Sequence, residues 1–367
     1  MLIGAHVPAR GGIRNAVDWG LAIGAEVIQT HPTPAQMWRP LRLEEPERRL
    51  YLDHYAASGL GGHYLHAVYL INLASPKEAL LRSSVDSLVH YMELAHALDA
   101  DGVVFHPGSH LGAGFDAVLP QIGAALREVV ERSPAGRAAL LVENSAGAGG
   151  GVGRDFEEIA RILEAAGSER VGVCLDTQHA YAAGHDLRSA DGVARTLAEL
   201  ARVIGFDRLS LVHANDSGSG LGSRSDRHAN IGRGEIAEAG FRLLLSDPRL
   251  RRVPWVLEVP GPERQGPDRS QVDLLRELAG LEPSRPTPAG DAEAPPAAAV
   301  RRRGRRHPPA GGAGGEGSEP PGGASGAERG ASGTGPGGPV PGGPIPGGQG
   351  EGGVVAAGAP GDSSTTS

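Results

Sequence analysis

Six short apolar runs in this chain each end on a side chain that can bind a metal ion. They are His63–His66, Gly102–His106, Ala139–Glu143, Val171–Asp176, Leu209–His213 and Trp255–Glu258, closing on His66, His106, Glu143, Asp176, His213 and Glu258. His179 follows Asp176 by three residues, and Asp226 and His228 flank Arg227 after the fifth of these runs. Positions two apart in an extended segment face the same way, so Asp226 and His228 can grip one ion. Taken singly, each of these residues has an ordinary reading, since histidines are commonly satisfied or at the surface and a carboxylate at a helix start is usually a cap. Five imidazoles and four carboxylates gathered on one rim are different. Without cations they would be costly to desolvate, and the acids would repel one another. A donor set of nitrogen and oxygen without thiolates suits Zn²⁺ or Mn²⁺, with Fe²⁺ a further candidate. Nine ligands exceed one tetrahedral site and suit two or three ions. Such clusters lower the pKa of water towards ~7 and flank phosphoryl oxygens in an in-line displacement. Cys174 lies inside one of the runs and reads as a core residue.

Something must bring those run ends together. With Leu2–His6 and Glu26–Thr30 there are eight strand candidates, several nearly continuous in aliphatic residues, as parallel strands buried on both faces are. Helix-period segments alternate with them, among them Pro76–Leu98, Asp116–Arg132, Asp155–Ala166, Ala190–Ile204 and Gln271–Leu281. Asp155 with Glu158 three residues on reads as an N-cap signal, and Gly167 as the stop. Eight βα units predict an α/β fold of (β/α)8 TIM-barrel type, whose strand C-termini form one mouth. A doubly wound open sheet is the alternative, but eight regular units favour closure.

Composition bounds the rest. Residues 283–367 hold 24 Gly and 15 Pro, and no Phe, Trp or Tyr follows Trp255, so this segment cannot offset the entropy of ordering. The expected organisation is a barrel over residues 1–282 and a disordered tail over 283–367. The tail's basic cluster, Arg301, Arg302, Arg303, Arg305 and Arg306, reads as part of a flexible appendage, with a weak polyanion contact as the sharper alternative. A single cysteine excludes a disulfide framework and a Cys-rich zinc ribbon. The start has no basic, apolar leader, and no apolar run is long enough to span a membrane, which points to a soluble, cytoplasmic protein without membrane partners. The net charge of −8 argues against a generic nucleic-acid binder, unless metal ions restore positive charge where the acids cluster.

The motifs resemble those of the endonuclease IV family of apurinic/apyrimidinic-site endonucleases. The matching segments are Ile3-Gly4-Ala5-His6-Val7 with Gly11-Gly12, then Tyr69-Leu70-Ile71-Asn72-Leu73 and Phe105-His106-Pro107-Gly108-Ser109-His110. Val142-Glu143-Asn144, Gly172–Ala180, His213-Ala214-Asn215-Asp216, Gly222–His228, Gly232-Arg233-Gly234 and Leu257-Glu258 follow in order. The resemblance implies a TIM barrel with three Zn²⁺, or Mn²⁺ at one position. His66, His106 and Glu143 would hold the first ion. Glu143 would bridge to the second with Asp176, His213 and Glu258, and His179, Asp226 and His228 would hold the third. The implied reaction is hydrolysis of the phosphodiester 5′ to an abasic site in duplex DNA, leaving a 3′-hydroxyl and a 5′-deoxyribose phosphate, together with trimming of blocked 3′ ends. Glu143, or alternatively Glu258, would orient or deprotonate the attacking water. The family expectation is a monomer without a nucleotide cofactor, nucleoid-associated when it acts on DNA.

Reaching such a mouth requires bent DNA and a flipped nucleotide. By the resemblance, Tyr69 and Leu70 match positions that fill the gap in the base stack, against a plain reading as core residues. The loop after the second strand departs from the pattern, with Gln36 where many relatives carry an intercalating Arg. Arg39, Arg224, Arg227 and Arg233 remain as phosphate contacts. The runner-up activity is a metal-dependent sugar isomerase or epimerase on the same barrel, for which a third ion has little use.

Overall fold

The computed structural model describes residues 1–38 and 41–284. Its strands are β1 (Ile3–His6), β2 (Ile28–Thr30), β3 (His63–His66), β4 (Gly102–Phe105), β5 (Ala139–Glu143), β6 (Val171–Asp176), β7 (Leu209–Ala214), β8 (Asp216–Ser217), β9 (His228–Ala229) and β10 (Trp255–Leu257). The helices are α1 (Arg14–Ala22), α2 (Glu45–Ser58), α3 (Glu78–Ala97), α4 (Phe115–Arg132), α5 (Phe156–Ala166), α6 (Thr177–Ala183), α7 (Ala190–Val203), α8 (Ala237–Ser246) and α9 (Arg269–Leu278). Eight strands close a parallel barrel in the order β1-β10-β7-β6-β5-β4-β3-β2. Closure is made by Ile3 beside Trp255 and Ala5 beside Ile28. The closed (β/α)8 barrel expected from the βα alternation is the observed fold, and the open sheet is excluded. β8 and β9 form a separate two-stranded antiparallel ribbon above the mouth.

Side chains alternate between two apolar layers, as strand geometry demands. Val27, Tyr64, Val104, Leu141, Cys174, Leu211 and Val256 fill the barrel interior. Leu65, Val103, Leu140, Val142, Val173 and Val212 belong to the outer core beneath the helices. Cys174 is fully buried in the interior layer, with its thiol pushed up to about 12 chiefly by burial. It is a core residue, not an available thiolate.

The start of α5 corrects the capping expectation. Asp155 occupies the N-cap position, but its side chain makes no cap hydrogen bond and pairs with Arg154 instead. Glu158 reaches back to accept from the backbone N–H groups of Gly153 (2.9 Å) and Arg154 (3.2 Å). The other half of the signal holds, since Gly167 ends the helix in the left-handed conformation at φ 60°. At the far end of the barrel, Ser284 is still tied down, its N–H donating to Asp273 Oδ1 at 2.8 Å and its hydroxyl accepting from Arg269. The basic cluster Arg301–Arg306 and the rest of the Gly/Pro-rich segment lie outside the described residues, as does Arg39. Among the described residues, no helix is long and apolar enough to cross a membrane.

Candidate metal centre

Two residues beyond each interior-layer position, the barrel turns polar. Gly4, Val27, Tyr64, Val104, Leu141, Cys174, Leu211 and Val256 are followed at that spacing by His6, Gln29, His66, His106, Glu143, Asp176, His213 and Glu258. The period of two aims all eight at the C-terminal mouth. His66, Glu143 and Asp176 are the last residues of their strands, while His106 and Glu258 stand one residue past β4 and β10.

Glu143 is the hub. Its Oε2 lies 3.2 Å from His66 Nε2 and 3.4 Å from His106 Nε2, and its Oε1 lies 3.2 Å from both His213 Nδ1 and His179 Nδ1. His213 Nδ1 is also 3.1 Å from Glu258 Oε2 and 3.8 Å from Asp176 Oδ2. A third cluster forms where Asp226 faces His179 Nε2 at 3.4 Å and His228 Nε2 at 3.3 Å, with Asp176 Oδ2 3.9 Å from His228 Nε2. Three groups have ligand atoms close enough to share an ion: His66, His106 and Glu143; Glu143, Asp176, His213 and Glu258; and Asp176, His179 and His228. All nine residues singled out in the sequence therefore converge on one mouth. The third group differs from expectation in one respect. Asp176 reaches it from below, while the exposed Asp226 closes it from the solvent side.

The donor set fits divalent ions by spacing as well as by type. Ligands about 2.0–2.1 Å from a tetrahedral centre stand roughly 3.3 Å apart, and the separations of His66 Nε2, His106 Nε2 and His213 Nδ1 from the Glu143 carboxylate are 3.2–3.4 Å. A charge-assisted hydrogen bond would be shorter, about 2.7–2.9 Å. The outer nitrogens are already engaged. His66 Nδ1 donates to the carbonyl of Ala67 (2.8 Å), His179 Nδ1 to that of Asn144 (2.9 Å) and His228 Nδ1 to that of Glu258 (3.3 Å). A carbonyl only accepts, so each ring is fixed with its Nε2 bare and pointing inward. His228 Nε2 is buried and has no hydrogen-bond partner of proper geometry.

Protonation follows the same crowding. Burial alone would raise Glu143, but the charges of His106 and His213 and hydrogen bonds from His179 and His213 hold it well below the usual carboxylate range. Burial would lower His179, yet Asp176, Asp226 and Glu143 raise it well above an ordinary histidine, and Asp226 and Asp176 lift His228 to about 9 against its burial. The acids demand positive charge here, and bound cations would supply it in place of protons.

Neighbours to which the sequence alone assigns no role hold the candidate ligands in place. Asn215 donates to Asp176 Oδ2 (2.6 Å) and accepts from the Glu258 N–H (2.9 Å). Asn144 pairs with the Asp176 backbone in both directions. Asp216 gathers the backbone N–H groups of Gly232 (2.9 Å), Gly234 (3.0 Å) and Ile236 (2.9 Å), fixing the loop around the β8–β9 ribbon that carries His228. A side chain at Gly234 would collide with that carboxylate, which accounts for the second glycine of the Gly-Arg-Gly run.

The comparisons with known proteins agree with this geometry. The family model described as "Xylose isomerase-like TIM barrel" matches residues 17–278. A curated relative from Oleidesulfovibrio alaskensis, named "Probable endonuclease 4", is 42% identical over 282 residues, covering 76% of this chain and 95% of the relative. This chain belongs to the endonuclease IV family. The crystal structure of endonuclease IV from Thermus thermophilus is 37% identical and superposes with a TM-score of 0.67 over 76% of this chain and 99% of the other. A D-tagatose 3-epimerase-like protein shares only the fold, at 19% identity and a TM-score of 0.59 over 76% of this chain and 97% of the other.

In this member of the endonuclease IV family, the rim around the mouth is exposed. Tyr69 is 55% exposed, and its ring centroid lies 5.4 Å from His31, 5.6 Å from His66 and 6.0 Å from His106. It is not a core residue. Leu70 is half-buried and packs on the core. The Tyr69 N–H donates to the Ala35 carbonyl (2.9 Å), joining this loop to the one that presents Gln36 to solvent. Arg224, Arg227 and Arg233 are exposed, and no guanidinium of the three has an ion-pair partner among the described residues. Asn72 locks the Tyr69 loop to the segment after His106, donating to the Ser109 carbonyl (3.1 Å) and accepting from the Ser109 N–H (3.2 Å). Gly108 passes so close to Asn72, at φ 101°, that no side chain fits there.

Proposed function

We propose that this chain is a DNA-repair endonuclease that hydrolyses the phosphodiester 5′ to abasic sites in duplex DNA, leaving a 3′-hydroxyl and a 5′-deoxyribose phosphate. Removal of blocked 3′ ends belongs to the same proposal, because the attack on phosphorus is the same. The observation that carries it is the convergence of nine candidate imidazole and carboxylate ligands, with the spacing around Glu143 suited to tetrahedral coordination, in a chain 42% identical to a curated relative named "Probable endonuclease 4".

His66, His106 and Glu143 would hold one Zn²⁺, Glu143 with Asp176, His213 and Glu258 a second, and His179, Asp226 and His228 a third, with Mn²⁺ able to replace one. When bound, such ions activate water at neutral pH and neutralise charge building on phosphoryl oxygens. Glu143 lies between the clusters, and Glu258 is the more open of the two acids at the mouth. Glu143, or alternatively Glu258, would orient the attacking water or take its proton. Tyr69, backed by Leu70, stands where a base stack would end, and its exposed ring fills the space left by a flipped nucleotide. Gln36 reaches towards the same gap without charge, and Arg224 and Arg227 meet the phosphates.

Two ions would suffice for an in-line displacement, and the third candidate group, Asp176, His179 and His228 with Asp226 beside it, supports phosphodiester chemistry over isomerisation of a sugar. The test is incubation of the purified protein with a duplex containing one abasic site, before and after prolonged chelation, beside a metal count. Cleavage on the 5′ side, lost on chelation and restored by zinc, is the expected result. Full activity in a preparation free of metal would refute the reading.

A further inference from the structure

We propose that Gln29 is a positioning residue of the metal centre: a single amide from β2 that fixes the ring tautomer of His213 and holds the carboxylate of Glu258, so that both offer their free atoms to one ion. This deepens the metal-centre reading above and rests on it.

β2 is one of two barrel strands, with β1, that bring no residue to the three ligand groups, yet it places a fully buried Gln29 in the same polar layer. Gln29 Nε2 donates to Glu258 Oε1 at 2.6 Å and lies 3.0 Å from His6 Nδ1, while its Oε1 lies 2.9 Å from His213 Nε2. The amide can sit only one way round. Flipped, its oxygen would press against an ionised carboxylate oxygen at 2.6 Å, two acceptors with no proton between them. With Oε1 facing His213, that ring must carry its proton on Nε2, because an amide oxygen only accepts. His213 Nδ1 is then bare, and it is the nitrogen that faces Glu143 Oε1 and Glu258 Oε2. Glu258, in turn, has Oε1 occupied and Oε2 free.

The residue type matters. A carboxylate here would repel Glu258, a hydroxyl is too short to span both partners, and an apolar side chain would leave His213 free to take either tautomer. Only an amide of this length donates to one ligand and accepts from the other. Outer partners of metal ligands typically contribute about 10–100-fold to metal affinity.

The experiment compares the full chain with Gln29→Met and Gln29→Glu, each stripped of metal by chelation, checked for fold by circular dichroism, and titrated with Zn²⁺ against a chromophoric chelator. Wild type should take up its full complement. In each variant one ion per chain should bind about 10–100-fold more weakly while the others are unchanged, a selectivity that a packing defect would not produce. Should Gln29→Met fail to fold, Gln29→Glu decides, since it keeps the volume and the acceptor facing His213 but sets a carboxylate against Glu258. Wild-type affinity for every ion in a folded variant overturns the role of Gln29. A wild-type chain that takes up no zinc overturns the metal-centre reading itself, which is a distinct result.

Discussion

Asn144 and Asp176 exchange two hydrogen bonds across the ends of β5 and β6: the Asp176 N–H donates to Asn144 Oδ1 at 2.6 Å, and Asn144 Nδ2 donates to the Asp176 carbonyl at 3.0 Å. Both residues are buried, and Asp176 contributes to two of the three ligand groups. Asn144→Ala would leave a buried donor and acceptor unmet, at a cost of about 2–4 kcal/mol. A urea titration of the metal-free protein should show that loss, and metal retention during dialysis should fall as well. Stability within about 0.5 kcal/mol of wild type, the range of an ordinary surface substitution, would contradict the account.

Glu143→Gln removes one charge and almost no volume from the hub. The barrel should keep its fold, because the apolar layers beneath Glu143 are untouched. Cleavage of abasic-site duplex should fall by at least about 10²–10³-fold, the scale set by removing one preorganised electrostatic group from an active site. Single-turnover cleavage checks it, and near-wild-type rates would remove Glu143 from the mechanism.

The convergence of the candidate ligands was legible because their chemistry is rare at strand ends and because eight βα units leave one closed arrangement. Their supports were harder to read. Gln29 and His6 fall at the same phase as the ligands, two residues beyond the interior layer, but in Ile-Gln-Thr and Gly-Ala-His nothing in residue type alone separates a supporting amide from a core polar group. The cap of α5 departs from the pattern because Asp155 and Glu158 are interchangeable in a sequence motif, and only the local turn decides which carboxylate meets the free N–H groups. Tyr69 was ambiguous for a similar reason, since an aromatic after a strand can turn inward or outward.

The exposed Tyr69 ring makes a prediction about DNA. Stacking on an aromatic contributes about 1–3 kcal/mol per base, so Tyr69→Ala should weaken binding of abasic duplex by roughly 5–150-fold. Intact duplex, with its stack closed, should bind nearly as before. Equal losses on both substrates, measured by fluorescence anisotropy, would reduce Tyr69 to a general surface contact.

Gln36 is exposed on the adjoining loop and carries no charge. Gln36→Arg would add one cation beside the proposed gap in the base stack, and each phosphate it neutralised would steepen the dependence of log K on log salt by about 0.9. Tighter binding at low salt with that steeper slope is the expected outcome. An unchanged slope would place position 36 away from the phosphates.

A pH effect on stability arises away from the metal centre, at His63. The ring is fully buried, with Nδ1 2.6 Å from the Tyr51 hydroxyl and Nε2 3.1 Å from Thr30 Oγ1, and burial lowers its pKa to about 3. The folded protein therefore keeps His63 neutral where the unfolded chain, titrating near ~6.5, takes up a proton. Its contribution is fully present above pH ~6.5 and is lost as pH falls from there towards ~3. The slope is about 1.4 kcal/mol per pH unit, or about 2 kcal/mol between pH ~6.5 and ~5. His63→Gln retains a polar partner for Tyr51 but cannot titrate. It should be less stable than wild type at pH ~7.5, and between pH ~7 and ~5 it should lose about 2 kcal/mol less. Urea midpoints of both proteins at the two pH values measure the difference, and parallel losses would show that His63 is protonated alike in the folded and unfolded chains.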